Sequence, residues 1–272
     1  IYKAKDETLN NLENNPFRPT GTGFGAFYNA EYLRKDDLYK TNDKQNSDRL
    51  SVNLNTKIDV RTSENTNLTF GASVHYRTGY RWSLSNSLLN ADNNGIFEDN
   101  TMRFYGRFSQ RFPAEKDSRS LVKNVNYTIQ ADYSVYTQTV QDGDHRENLF
   151  DYGHVGKFKT YKRKSYELGQ DTVLGYEDVW IHNGFRDTLV TFQPGEANEK
   201  VAAYTSSYYD LYDLNSGFYD NKPTIQQGQG LLNGERPNSV YGLYTNLGTP
   251  FNQYYKVNNQ QFSINANGSA DI

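Results

Sequence analysis

Hydrophobic and polar residues alternate one by one along five stretches of this chain. In residues 51–61, polar side chains alternate with an apolar set formed by Val52, Leu54, Ile58 and Val60. A period of two is typical of a β-strand with one apolar face, because a helix would spread both sets around its surface. The same pattern predicts five strands, at residues 51–61, 67–77, 101–112, 124–140 and 261–272.

The connections between these strands alternate in length. Residues 62–66 and 113–123 are short polar connections, whereas 78–98 and 141–257 are long and rich in Asn, Gly, Ser and Tyr. Outer-membrane barrels have this asymmetry, with short periplasmic turns and long extracellular loops. The pattern therefore predicts part of a large antiparallel transmembrane β-barrel. Its expected divisions are an extracellular loop at 1–47, four strands with short periplasmic turns at 48–140, a long extracellular loop region at 141–257 and a further strand at 258–272.

The alternation assigns each strand residue to a face. Apolar side chains are expected to face lipid, namely Val52, Leu54, Ile58, Val60, Leu68, Phe70, Val74, Phe104, Phe108, Val125, Ile129, Phe262 and Ile264. Charged residues on the opposite face would meet a hydrated interior or a plug, since a dry core would not tolerate them. The expected lumen-facing set is Lys57, Arg61, Arg77, Arg103, Arg107, Arg111 and Asp132, with Gln130 beside them.

A soluble β-sandwich is the main alternative, because its strands also have one apolar face. Three features favour the membrane: long strands with charged polar faces, connections of strongly unequal length, and aromatic residues expected near strand ends, at Tyr76, Phe112 and Tyr133. Five strands do not close a barrel, since bacterial barrels have an even number of eight or more. The outermost strands, at 48–61 and 258–272, are therefore expected to pair with further strands.

Composition narrows the function classes. Aromatic residues make up 15% of the 272 residues, yet all apolar residues together make up only 35%. An ordinary globular core would need more aliphatic residues, and a disordered chain would have fewer aromatics. The net charge of -3 gives no excess that would indicate nucleic-acid binding. The absence of cysteine excludes disulfides, Cys-zinc sites and thiol catalysis.

Residues 141–257 contain two recognisable features. Alternating runs on either side of Asn183-Gly184 predict a hairpin that turns at this dipeptide. Tyrosines are concentrated at 204–219, and tyrosine suits a wet binding surface because it combines an apolar ring with a polar tip. The predicted ligand- or partner-binding residues are Tyr204, Tyr208, Tyr209, Tyr212 and Tyr219. The alternative is that these tyrosines hold a long loop together.

Two segments resemble a known family. NPFRPTGTGFGAFYNAEYLRKDDLYKT at 15–41 and LSVNLNTKIDVRTSENTNLTFGASVHY at 50–76 resemble the barrel region of Bacteroidota TonB-dependent outer-membrane receptors, the Oar-like group with a carboxypeptidase-like regulatory domain. The segment NADNNGIFEDNTMRFYGRFSQRF at 90–112 adds to the resemblance, which covers about the first 140 residues and the last fifteen. It implies a bacterial outer-membrane location and solute uptake powered by the TonB complex through a plug. No plug or TonB-box feature is found in these residues.

Metal and catalytic sites have little support in the sequence. Asn90, Asp92, Asn94 and Glu98 form a weak calcium candidate, but a bidentate glutamate is missing at the twelfth position of the loop. A solvated Asn/Asp turn is the favoured interpretation. The four histidines are far apart, and no nucleophile motif or spaced carboxylate pair indicates a hydrolase. We therefore expect no enzyme activity and no cofactor.

Three functions remain open from the sequence. The first is a segment of a TonB-dependent transporter, with outer-membrane lipid and the TonB complex as partners and a surface lipoprotein or other protein at its loops. The second is an outer-membrane barrel subunit of an assembly or secretion complex that binds protein partners through its loops. The third is a soluble β-rich carbohydrate-binding module, which the Tyr-rich loops suggest.

Overall fold

The computed structural model describes residues 1–21, 25–114, 120–212, 236 and 239–272. The protein is mostly β, with 53% of its residues in strands and 14% in helices, which confirms the all-β class. No closed barrel is formed by the described residues. Neither α-helix in this part of the chain is long and apolar enough to cross a membrane.

Eleven strands and two α-helices make up the described structure. The helices are α1 (Asp6–Asn14) and α2 (Glu199–Tyr212), and short 3-10 turns lie at Asn29–Tyr32, Lys35–Asp37 and Ala91–Asn93. The strands are β1 (Tyr2–Ala4), β2 (Phe17–Pro19), β3 (Ala26–Tyr28), β4 (Leu38–Lys40), β5 (Arg49–Arg61), β6 (Thr66–Tyr80), β7 (Ile96–Phe112), β8 (Lys123–Gln141), β9 (Gly156–Asp171), β10 (Tyr176–Pro194) and β11 (Tyr255–Asp271).

The chain folds into two compact units. The sheet unit consists of residues 47–81, 96–141 and 254–272. The loop unit consists of residues 1–46, 82–95 and 142–253. All five strands predicted from alternation are found in the sheet unit, as β5, β6, β7, β8 and β11, so these predictions are confirmed.

The sheet unit is one antiparallel sheet with the strand order β11-β8-β7-β6-β5. Tyr80 pairs with Ile96, which in turn pairs with Gln141, so the long connections leave from one end of the sheet. The short turn between β5 and β6 lies at the opposite end, where Arg61 pairs with Asn67. The strands are longer than the alternation predicted, because backbone pairing continues beyond the alternating stretches.

The two outer strands of the sheet, β5 and β11, each have a single neighbour among the described strands. The pairing of β5 with β6 has no register shift, and β11 shows one, between Ser269 and Asp271. Soluble proteins protect exposed edges with bulges, prolines or very short strands. These two long edges have little of that protection.

The loop unit contains two small hydrophobic cores. One core draws on all three segments of the unit, since Ala4 and Leu12 pack with Leu88 and with Leu247. The second core contains Phe17 and Tyr28 together with the buried face of α2. The edge-on contact between Phe17 and Tyr204, with ring centroids 5.3 Å apart, is typical of its aromatic packing. Segments that are distant in sequence are therefore stabilised by mutual burial.

The hairpin predicted in residues 141–257 exists as β9 and β10, but its turn was misplaced. The chain turns at residues 172–175, where the Asp171 carboxylate accepts the backbone N–H groups of Val173 and Leu174 at 2.9 and 3.0 Å. Gly175 supplies the left-handed conformation, with φ of 73°. Asn183-Gly184 instead lies at a register shift inside β10. Gly175 and Gly184 both suit a turn, and the hydrogen bonds of the Asp171 carboxylate stabilise the turn at Gly175.

Candidate functional site

The sheet carries its charged residues on one face. Residues that lie directly opposite each other on neighbouring strands share a face, as do alternate residues along one strand. The register places Asp59 opposite Thr69, Thr69 opposite Arg107 and Arg107 opposite Gln130. All seven residues predicted to face the lumen lie on this polar face, namely Lys57, Arg61, Arg77, Arg103, Arg107, Arg111 and Asp132.

Two clusters on the polar face each join an arginine, an aspartate and a glutamine. Arg103 contacts the Asp132 carboxylate through Nε at 3.1 Å and Nη2 at 2.5 Å, and Gln130 donates to both carboxylate oxygens. Arg77 likewise pairs with Asp99, which also accepts a hydrogen bond from a glutamine on β8. The carboxylates are nearly buried while the arginines are half exposed. Each carboxylate is therefore screened from solvent, and both of its oxygens accept hydrogen bonds.

The other cations of this face have weaker partners. Lys57 pairs with Asp59 at 2.7 Å, although both side chains are about half exposed. Arg107 donates to the Gln130 side-chain oxygen at 2.8 Å, and Arg61 donates to two backbone carbonyls of the adjacent turn. Basic side chains thus outnumber acidic ones on the polar face, which gives it a net positive charge.

The opposite face of the sheet is apolar and uncovered. Ile58 is 61% exposed, Phe104 47% and Phe262 65%, although each lies within a long regular strand. The thirteen residues predicted to face lipid all lie on this face, so their assignment to one side is confirmed: Val52, Leu54, Ile58, Val60, Leu68, Phe70, Val74, Phe104, Phe108, Val125, Ile129, Phe262 and Ile264.

The apolar face forms a band of limited height. On β7 it runs from Met102 to Phe112, about 34 Å at about 3.4 Å per residue, with Gln110 as a polar interruption. Tyr127 stacks on Phe112 with centroids 6.0 Å apart at the end with short turns. Tyr133 was expected near a strand end but lies well inside the band, in the row of Phe104, so that prediction was wrong.

A groove of about 500 Å³ crosses the apolar face near its middle. Its lining includes three small residues on neighbouring strands, Ala72, Gly106 and Ala131. Phe70 and Phe104 stand on either side. The groove therefore follows from small residues placed between large aromatic ones.

The tyrosines predicted to bind a ligand or partner are not exposed as expected. Tyr204, Tyr208 and Tyr209 are each 3% exposed or less, because they lie on the buried face of α2. The prediction of an accessible surface is therefore wrong for these three, which pack in the core. Tyr212 is the last residue of α2, and Tyr219 lies outside the described residues.

Burial changes the chemistry of the α2 tyrosines. Desolvation raises the pKa of the Tyr204 phenol well above its usual value, and its hydroxyl donates to Asn246 Oδ1 at 3.1 Å. Burial also raises the pKa of Tyr209, whose hydroxyl has no hydrogen-bond partner among the described residues. These groups stay neutral at physiological pH and act as packing residues.

The weak calcium candidate is divided between structural roles. Asn90 donates to a backbone carbonyl at 2.8 Å and accepts from a neighbouring asparagine, and Asn94 is hydrogen-bonded in the same way. Asp92 accepts side-chain amides at the surface, whereas Glu98 belongs to β7 and accepts the hydroxyl of Tyr76. In the described part of the chain, no group of three or more acidic or histidine side chains is placed to hold a metal.

Sequence reasoning missed one exposed apolar surface, on the hairpin β9–β10. Trp180 is 71% exposed, and Leu168 opposite it is 56% exposed. The alternation in YELGQ and VWIHNGF carried the signal, since it predicts one apolar face for each strand. The alternation was interpreted only as evidence for two strands, and no exposed apolar face was predicted from it.

Comparison of the chain with family models, with curated proteins and with solved structures finds no match. The resemblance to TonB-dependent receptors therefore remains a prediction from the sequence.

Proposed function

We propose that the sheet unit is part of the wall of an outer-membrane β-barrel transporter, with its apolar face against lipid and its polar face toward the interior. In this proposal the protein is a segment of a TonB-dependent receptor in the bacterial outer membrane. Solute passes the polar face, and the TonB complex acts through a plug that is not among these residues. The loop unit is then extracellular.

The observation that carries the proposal is the polarity of the two sheet faces. In a water-soluble protein the apolar face of a sheet packs against another layer, and the charged face meets solvent. Here Ile58, Phe104 and Phe262 are about half exposed or more, whereas Asp99 and Asp132 are nearly buried. Lipid would cover the first face, and a hydrated interior suits the ion pairs of the second.

The dimensions of the apolar band also support a membrane position. The length of about 34 Å along β7 corresponds to about 24 Å of height for a strand tilted by about 45°. Bacterial outer-membrane barrels have an apolar band about 25 Å tall, bordered by aromatic residues. The Phe112–Tyr127 stack fits such a border at the short-turn end.

The sheet edges suit further strand pairing. β5 and β11 run in the same direction, since strand directions alternate across the five-stranded antiparallel sheet. Closing the sheet with antiparallel pairs alone therefore needs an odd number of additional strands, three or more, to reach an even total of at least about eight. The lack of bulges along β5 leaves its outer edge available for this.

Adjacent cysteines on β6 test which face meets lipid. Because the chain has no cysteine, Ala72→Cys and Ser73→Cys each introduce a single labelling site, one residue apart on opposite faces. In membranes of the full-length protein, brominated lipid should strongly quench a bimane attached at position 72 and only weakly quench one attached at position 73. Equal weak quenching at both sites would contradict the membrane assignment and favour a soluble module.

Transport is tested separately from membrane position. Cells that lack the protein should lose energy-dependent uptake of a nutrient from a defined panel, and inactivation of the TonB complex should cause the same loss. If uptake is unchanged while protein secretion or surface assembly fails, the chain belongs to an assembly complex instead.

A further inference from the structure

The distal half of the hairpin β9–β10 extends beyond the part that packs on the core of the loop unit. Near the base, Phe158 and Phe192 lie against each other with ring centroids 4.8 Å apart, and Phe192 contacts Tyr209 of α2. From Lys164 to the turn the two strands pair only with each other among the described strands. Two isolated strands are marginally stable in water, so an additional covering layer would stabilise them.

One face of this distal half is aromatic and exposed. His182 lies opposite Tyr166, and Trp180 lies opposite Leu168. The His182 ring meets those of Tyr166 and Phe185 edge-on, at centroid distances of 5.4 and 5.1 Å. Tyr166 is 50% exposed and Phe185 62%. The side chains are thus held in one strip by contact with each other while their outer surfaces meet solvent.

The size of this strip matches a protein interface. Large side chains of this kind bury about 150–250 Å² each when fully covered, so the four apolar ones of the strip expose on the order of 500 Å². The apolar turn adds Val173 and Leu174, which are both more than 60% exposed. The total approaches the roughly 800 Å² that each partner contributes to a stable complex. A flat strip of this area suits a protein surface, since small ligands bind in concave pockets.

The form of the hairpin favours contact through this face rather than through its edges. Register shifts interrupt the pairing at three places, between Tyr176 and Val179, between His182 and Gly184, and between Asp187 and Leu189. Such irregularities twist an edge away from strand addition. The side-chain face is continuous across the middle shift, as the contact between His182 and Phe185 shows.

Charges at the two ends of the strip are self-complementary. Lys164 lies at its base end, and Glu177 and Asp178 lie at its tip end, about 20 Å away at about 3.4 Å per residue. None of the three forms a salt bridge within the described residues. When the two-fold axis lies in the plane of contact and perpendicular to the strands, the base of one hairpin lies over the tip of the other. Each Lys164 then meets the acidic pair of the second copy.

We propose that the distal face of β9–β10, formed by Tyr166, Leu168, Trp180, His182 and Phe185, is the contact surface for a second copy of this chain. The two faces pack together about a two-fold axis, with Lys164 of each copy beside Glu177 and Asp178 of the other. This inference does not depend on the proposed function, because the hairpin belongs to the loop unit.

Self-association of the full-length protein tests the apolar part of the contact. Sedimentation velocity should detect a dimer. Trp180→Ala should raise the dissociation constant of this dimer at least about tenfold. Glu167→Ala is the matched control, since Glu167 lies on the opposite face between Tyr166 and Leu168 and should leave the constant unchanged. A monomeric wild-type protein, or a dimer that Trp180→Ala does not weaken, would overturn the proposal.

Charge reversal tests the orientation of the two copies. Lys164→Glu and Glu177→Lys should each weaken the dimer, because each places like charges together at two symmetric positions. Combining them should restore dimerisation, and restoration also shows that the fold tolerates both substitutions. Loss of dimerisation in the double variant, or binding of a different protein at this face in place of the second copy, would refute the two-fold arrangement.

Discussion

Arginine placed on the apolar face of β11 should be far more costly than arginine placed one residue later. Phe262 lies within the apolar band, in the row of Tyr133 and Phe104. Ser263 lies on the polar face, directly opposite Asp132. Phe262→Arg and Ser263→Arg therefore add the same side chain to the same strand at nearly the same depth, on opposite faces.

The magnitude follows from exposure and depth. Phe262 is 65% exposed, so about 130 Å² of its roughly 200 Å² surface would contact lipid. At about 25 cal/mol per Å², losing this contact costs up to about 3 kcal/mol. Arginine on the lipid face adds up to about 2–4 kcal/mol at the midplane and less toward the interfaces. A total cost of about 2 kcal/mol shifts the folding equilibrium about thirtyfold.

Urea unfolding of the full-length protein in phosphatidylcholine vesicles measures both variants. Phe262→Arg should lower the free energy of unfolding by at least about 2 kcal/mol. Ser263→Arg should change it by less than about 1 kcal/mol, because its guanidinium lies in a hydrated interior near the Asp132 carboxylate. Equal losses in the two variants, or a larger loss for Ser263→Arg, would refute the assignment of the faces.

Further predictions concern the buried tyrosines and the sheet glycines. Tyr204→Phe should cost about 1 kcal/mol, because it removes a buried hydrogen bond, whereas Tyr209→Phe should be neutral or stabilising; hydrogen exchange of the α2 amides measures both. Burial raises the pKa of both phenols, so the unfolded chain ionises first as the pH rises. The stability that these phenols support is therefore present below about pH 10 and falls at higher pH. Hydrogen exchange of the α2 amides at about pH 9 and about pH 11, on either side of the ordinary tyrosine pKa, checks the sign. Gly71→Ala should lower the free energy of unfolding by about 1–3 kcal/mol, because a methyl group there meets the ring of Tyr105. Gly106→Ala should be tolerated, because its methyl group meets no atom closer than 3.6 Å. Urea unfolding measures both variants.

The sheet was predictable because its signal is local. Alternation along each strand assigns every residue to a face without knowledge of its neighbours, so the separation of Arg103 from Phe104 follows from sequence alone. Strand ends were less predictable. Pairing of Tyr255 with Val140 shows that β11 begins six residues before the alternating stretch, and such an extension depends on the partner strand.

The loop unit was less predictable because its order depends on distant segments. Together its cores join residues from all three segments of the unit, and no local pattern in one segment indicates the other two. The helix α2 did have a local signal, since Val201, Tyr204 and Tyr208 recur at helical spacing. The tyrosine-rich composition instead favoured a binding loop. In the structure these residues form a helix that is buried against Phe17.

A spin-label scan along β7 tests the central claim most directly. Single cysteines at successive positions from 102 to 109 would be labelled in the full-length protein reconstituted in lipid vesicles. Accessibility to oxygen, which concentrates in lipid, should peak at even positions such as 104. Accessibility to a water-soluble nickel complex should peak at odd positions. The two profiles should oscillate out of phase with a period of two, because even positions lie on the apolar face. The account would be contradicted if positions 104, 106 and 108 were as accessible to the nickel complex as the odd positions are.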